Sequence, residues 1–164
     1  MDALSISIII PLCVLAFSMW LVFWILKKDR GTPEMQRVAD AIQEGAKAFL
    51  NRQYRTIAII SVVVAVGLWA TYFFSGKPEL GWQTAVAFGL GAASSAVSGV
   101  IGMSIAVRSN ARSASSAKRS FNEALTIALR GGAVSGFTIV ALSLIGIAGL
   151  FSIYRYFGYE AVRI

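Results

Sequence analysis

The sequence predicts an all-α fold, a polytopic transmembrane helix bundle of four spans with both chain ends on the outer side. Three observations carry that prediction: an apolar composition, four long intervals without charge, and a lopsided placement of lysine and arginine. Of the 164 residues, 57% are hydrophobic and 14% charged, and the mean hydropathy is +0.70. A soluble domain of this size keeps a large surface for its volume and could not hide that much apolar area. Lipid removes the difficulty by solvating the apolar faces itself.

Charge is costly in hydrocarbon, so charge-free intervals mark candidate spans. None occurs between Asp2 and Lys27, Arg55 and Lys77, Glu79 and Arg108, or Arg130 and Arg155. Each interval reaches the roughly 20 residues that a helix needs to cross. The predicted spans are 4–26, 56–76, 82–107 and 131–154, with segments 27–55 and 108–130 between them. Buried helices of a soluble protein would show shorter runs and polar faces.

Orientation follows from the basic residues. Seven lie in the first connecting segment (Lys27, Lys28, Arg30, Arg37, Lys47, Arg52, Arg55) and five in the second (Arg108, Arg112, Lys118, Arg119, Arg130). The opposite side holds three, Lys77, Arg155 and Arg163. The positive-inside rule puts the two basic segments in the cytoplasm. The expected location is multi-pass in a bacterial inner membrane, with the lipid bilayer as first partner.

The first span has no basic stretch before it, is too long for a secretory signal, and lacks a small-x-small cleavage pattern before Lys27. It reads as a retained helix that Pro11 either kinks or starts late. Thr32-Pro33-Glu34 reads as a helix start: a cap, a proline suited to the first turn, and an acid at the positive end of the dipole. Val38, Ala41, Ile42, Ala46, Phe49 and Leu50 then recur at helical spacing, which predicts one long helix, amphipathic outside the membrane and apolar inside. Asp40, Glu44 and Lys47 are spaced to interact along one face. Two readings of this helix stand: a docking or coupling surface, and a helix resting on lipid headgroups. A peripheral lipid-sensing module built on the same segment is a weaker third.

In the third span Gly91, Ser95, Gly99 and Gly102, with Ser98, recur at three- and four-residue spacing and form a small-residue face for close helix packing. Gly132, Ser135, Gly136, Gly146 and Gly149 make a weaker set in the fourth span. A permeation path is the alternative, but no span contains the ionisable group that an ion relay normally needs. The stretch Arg108–Ser120 has no interleaved aromatics and no glycine-rich phosphate cradle, so nucleic acid is not expected. It reads as a solvated connection between helices.

Catalytic patterns do not appear. Cys13 is the one cysteine and histidine is absent, which removes disulfides and the commonest general base. On the cytoplasmic side the acids are Asp29, Glu34, Asp40, Glu44 and Glu123, interleaved with lysines and arginines. Metal-assisted hydrolysis of a polyphosphate needs clustered carboxylates, and no Asp-x-x-x-Asp is present. Walker A, Gly-x-Ser-x-Gly and Cys-x-x-Cys patterns are also missing. The residues offer no catalytic, cofactor-binding or metal site.

Two stretches nevertheless resemble the membrane-bound, ion-translocating inorganic pyrophosphatases. Residues 42–57, IQEGAKAFLNRQYRTI, look like that family's lead-in to its second span. Residues Gly91–Ser95, then Gly99-Val100-Ile101-Gly102-Met103, then Arg108-Ser109-Asn110-Ala111-Arg112, are similar to the end of its third span and the Arg-[Ala/Ser]-Asn-x-Arg that follows. The run from Ala124 and Leu125 through Gly131, Gly132 and Gly136 fits its fourth helix. The likeness covers about Thr32 to Tyr154 and implies a great deal. Family members have many more spans, form homodimers, hydrolyse Mg²⁺-pyrophosphate on the cytoplasmic side and drive H⁺ or Na⁺ outward. Their pyrophosphate and Mg²⁺ ligands, and the features that decide K⁺ dependence, lie in later helices that this chain does not contain. The resemblance therefore implies the opening part of a longer pump, supplying outer-wall helices and no active site. Arg108, Asn110 and Arg112 are expected to arrange the cytoplasmic ends of neighbouring helices. The rival expectation is a small four-helix scaffold or assembly protein.

Overall fold

A computed structural model describes residues 3–156. Within them the chain forms four helices: α1 (Ala3–Leu26), α2 (Pro33–Phe74), α3 (Pro78–Ala117) and α4 (Phe121–Tyr156). All four are long and apolar enough to cross a membrane, so the chain is an integral multi-pass membrane protein. Asp2 and Arg163, which entered the charge argument, lie outside the described residues. At 1.5 Å per residue α2 and α3 run about 60 Å, twice the roughly 30 Å of the hydrocarbon core. Their polar ends, 33–55 and 108–117, thus continue beyond it.

Local chemistry sets the helix ends. Thr32 caps α2 as its sequence suggests, its hydroxyl accepting from Met35 N at 3.4 Å with Pro33 in the first turn. Gly76 ends α2 at φ 74°, a conformation that glycine adopts without penalty. There Gly76 N–H bonds Phe73 O at 3.1 Å and Lys77 N–H bonds Tyr72 O at 3.0 Å, satisfying carbonyls that the helix would leave orphaned. Ser120 starts α4 by accepting from Glu123 N at 3.4 Å, and Ser-x-x-Glu is a capping pattern that the reading of this segment as a loose connection overlooked.

Three expectations need correction. Helix α1 already runs at Ala3 and carries Pro11 in its interior, so the proline does not delay the start. Arg108–Ala117 is the last part of α3 rather than a solvated connection, and Ser109, Arg112, Ser115 and Ser116 are buried in it. The turn to α4 takes only residues 118–120. Asp40 does not act along its own helix face: it bonds Arg30, and no ion pair joins it, Glu44 and Lys47 among the described residues.

α3 packs on both α4 and α2, α1 packs mainly on α4 with a small contact to α3, and α1 and α2 do not pack together. The core lies where α1, α3 and α4 meet, around Leu21, Ile25, Ile105 and Val134. Ser18 and Thr138 beside it are paired, as the bilayer demands. Ser18 shares a 3.2 Å bond with Thr138, which donates to Val134 O at 2.7 Å. At the far end Tyr154 donates to Gln83 O at 2.8 Å.

Candidate functional site

The basic end of the bundle gathers most of the described ionisable groups, and the α1–α2 turn organises them. Gly31 allows the turn with φ 85°. A side chain there would also press on Met35 Sδ at 2.8 Å and Ser115 Cβ at 3.2 Å. Asp29 is the hub: its carboxylate accepts from Gly31 N at 3.0 Å, Ser115 Oγ at 3.2 Å and Arg119 Nη1 at 3.4 Å. These donors, the Gly31 amide first, hold its carboxyl below the usual range. Glu34 is likewise lowered, by its own amide and the Thr32 hydroxyl. Beside them Lys28 pairs with Glu123 at 3.3 Å. Trp24 lies between Lys28, 4.6 Å from its ring centre, and Arg130, at 3.9 Å, where its π-face attracts both cations.

The family-motif residues separate by role. Arg112 is 7% exposed and spans two helices. It donates to Leu26 O at 3.2 Å, an orphan carbonyl at the end of α1, and to Arg108 O at 2.9 Å. A cation there also complements the negative end of the α1 dipole. Burial, then the nearby Arg30 and Arg108 charges, lower its pKa from the ordinary arginine value. Its Nε hydrogen has no acceptor. Arg108 is exposed and forms no ion pair among the described residues. Asn110 is exposed.

The small residues divide as well. A Cβ at Gly99 would overlap the Tyr54 hydroxyl of α2, and one at Gly102 would come within 2.9 Å of Ser135 Oγ in α4. Both helix contacts thus rest on the missing side chain. Gly91 has nothing within 4 Å of that position, and Ser95 is exposed, so the structure brings neither against another helix. A further close approach joins two residues that the sequence offered only as part of family-like runs: Gly131 of α4 sits on Ser109, whose hydroxyl donates to Ile127 O at 3.0 Å. The buried positions Ser98, Gly102, Ile105, Ser109, Arg112 and Ser116 continue one helical stripe past the last apolar turn. That spacing was the available signal.

No three carboxylate, histidine or cysteine groups come together to hold a metal among the described residues. Asp29, Asp40 and Glu123 are each engaged by a different cation, Arg119, Arg30 and Lys28. This donor set does not fit Mg²⁺, which needs oxygen ligands converging on one point.

Comparison with known proteins fits this picture. A family model described as inorganic H⁺ pyrophosphatase matches residues 12–163. The chain is 50% identical over 137 residues to the "K(+)-insensitive pyrophosphate-energized proton pump 2" of Moorella thermoacetica, covering 84% of the chain and 19% of that protein. It is 42% identical over 140 residues to the "K(+)-insensitive pyrophosphate-energized proton pump" of Methanosarcina mazei, covering 85% and 20%. It is 39% identical over 153 residues to "Pyrophosphate-energized membrane proton pump 3" of Arabidopsis thaliana, covering 85% and 19%. The chain thus spans about one fifth of the length of the curated relatives it matches.

Proposed function

The chain belongs to the inorganic H⁺ pyrophosphatase family, and from that premise we propose that its helices form structural wall in a pump that couples pyrophosphate hydrolysis to outward H⁺ transport. Catalysis would lie in parts of the pump outside these helices, where Mg²⁺ and pyrophosphate bind. The observation that carries this reading is the basic end itself, where the motif residue Arg112 is spent on joining α1 to α3. A charge used to hold two helix ends is a scaffold element. The names of the relatives support H⁺ as the ion and a pump that needs no K⁺. A homodimer is the assembly expected from the family. The positive-inside distribution supports a cytoplasmic basic end with both chain ends outside, and a bacterial inner membrane is the expected location. The family match does not favour an independent four-helix scaffold.

The test is a chimera in which this chain replaces the matching segment of the Moorella pump, assayed in inverted membrane vesicles for pyrophosphate-driven acidification. The account expects hydrolysis and acidification together. A chimera that reaches the membrane in normal amount and does neither contradicts it, as does pyrophosphate hydrolysis by the 164-residue chain alone.

A further inference from the structure

Two concave features meet at the basic end. One is a groove of about 1230 Å³ between α2 and α3, walled by small and aliphatic side chains that include Ala58, Val62, Ala65, Ala93, Ala96 and Val100. It extends along α3 from Arg108 to Gly89, about 29 Å at 1.5 Å per residue, which exceeds the depth of one leaflet. The other is a polar cup of about 290 Å³ lined by Leu26, Arg30, Asp40, Gln43, Arg108 and Arg112. Gln43 and Arg108 belong to both, so the cup opens at the mouth of the groove.

The cup's charges are unbalanced. Asp40 answers Arg30, while among the described residues Arg108 has no carboxylate partner and Arg112 binds only carbonyl oxygens. Arg112, nine-tenths buried, adds its charge to the lining of the cup. Glu44 and Lys47 at the groove mouth offset each other. An anion is needed in the cup, and an apolar chain suits the groove beneath it. Basic pockets between transmembrane helices bind lipid headgroups on this logic.

We propose that this groove and cup form a binding site for an anionic phospholipid, with the lipid phosphate among Arg30, Arg108 and Arg112 and an acyl chain against the alanine wall. The phosphate oxygens accept from Arg108. The alanines let the chain lie close to both helices, and the lipid fills the space that α2 leaves beside α3.

Native mass spectrometry of the purified chain in mild detergent tests the site, with phosphatidylglycerol and phosphatidylcholine of matched acyl chains as probes. Phosphatidylglycerol is expected to be retained preferentially. Arg108→Gln weakens its binding about fivefold, the effect of removing one cation near the headgroup, and Ala96→Phe obstructs the groove and lowers retention further. Arg119→Gln, at the same end but outside the cup, leaves retention unchanged. Equal retention of the two lipids, or equal losses from Arg108→Gln and Arg119→Gln, overturns the proposal. So does binding of inorganic phosphate without any preference between the lipids, which assigns the cup to a soluble anion. A change in oligomeric mass on Ala96→Phe with lipid retention unaltered assigns the groove to a protein segment and also overturns it.

Discussion

Helices α2 and α4 are similar in length and hydropathy, yet they are held very differently. α4 buries eight residues, including Ile127 and Val134 at 0% exposure. α2 buries one, Ala39, which lies in its polar half, and its apolar half shows Val62, Val63 and Val66 at the surface. α4 touches two other helices well, while α2 leans on α3 alone. Hydrophobicity therefore distinguishes neither helix, because lipid is as good a solvent for valine as protein is. What separates them is small and polar residues at the contact: Gly102 against Ser135, Gly131 against Ser109, Ser18 against Thr138. α2 has two comparable contacts, Tyr54 over Gly99 and Trp69 with Tyr72 against Gly81.

The comparison breaks most visibly under large truncations. Ile127→Ala should cost about 2–5 kcal/mol, as buried isoleucines do, whereas Val63→Ala in α2 should fall within about 0.5 kcal/mol of wild type. Reversible unfolding of the chain in mixed micelles measures both, and equal losses would erase the distinction between the helices. Glycines give the next effect. Gly131→Ala brings a methyl within 2.7 Å of Ser109 Cβ and should cost about 1–3 kcal/mol through overpacking. Gly67→Ala, with nothing within 4 Å, should be neutral or stabilising by up to about 1 kcal/mol. Thermal midpoints of the pair should move in opposite directions or only one should move. Ser18→Ala should lose about 0.6 kcal/mol, the average for hydrogen bonds between membrane helices, by the same unfolding assay.

The smallest effect is electrostatic. Because the folded pKa of Asp29 lies below its unfolded value of about 3.9, its contribution is complete above that value. It is lost as pH falls through the lower folded pKa. Wild type should therefore lose thermal stability on acidification below about pH 4, and Asp29→Asn should lose part of that dependence. An Asp29→Asn profile that parallels wild type throughout would remove Asp29 as the hub of the basic end.

Much of this was legible in the sequence because the bilayer punishes charge. The four spans follow from where Lys, Arg, Asp and Glu are missing, and the long α2 from its Thr32-Pro33-Glu34 start and the helical spacing after it. The last turns of α3 were not legible for the same reason. Arg108, Arg112, Lys118 and Arg119 look like a solvated segment if each is counted as a charge. Arg112 is instead a buried donor to the end of α1, and Ser109 and Ser113 between the arginines donate to carbonyls of α4. Gly91 and Ser95 fit the stripe by spacing but not by position, since spacing says which face a residue occupies and not whether a neighbour covers it. Family membership was readable from Gly99–Arg112, because these residues hold helix ends together and so leave a pattern in the chain.

The central claim is that these helices are wall and contain no part of the active site. Within the chimera described above, single amide substitutions at Asp29, Asp40, Glu44 and Glu123 test it most directly, with Mg²⁺-dependent pyrophosphate hydrolysis as the readout. The account predicts that each variant, expressed at the normal level, keeps hydrolysis within the same order of magnitude as the parent chimera. Abolished hydrolysis in any one of them, with expression and thermal stability intact, would place a catalytic carboxylate in this chain and contradict it.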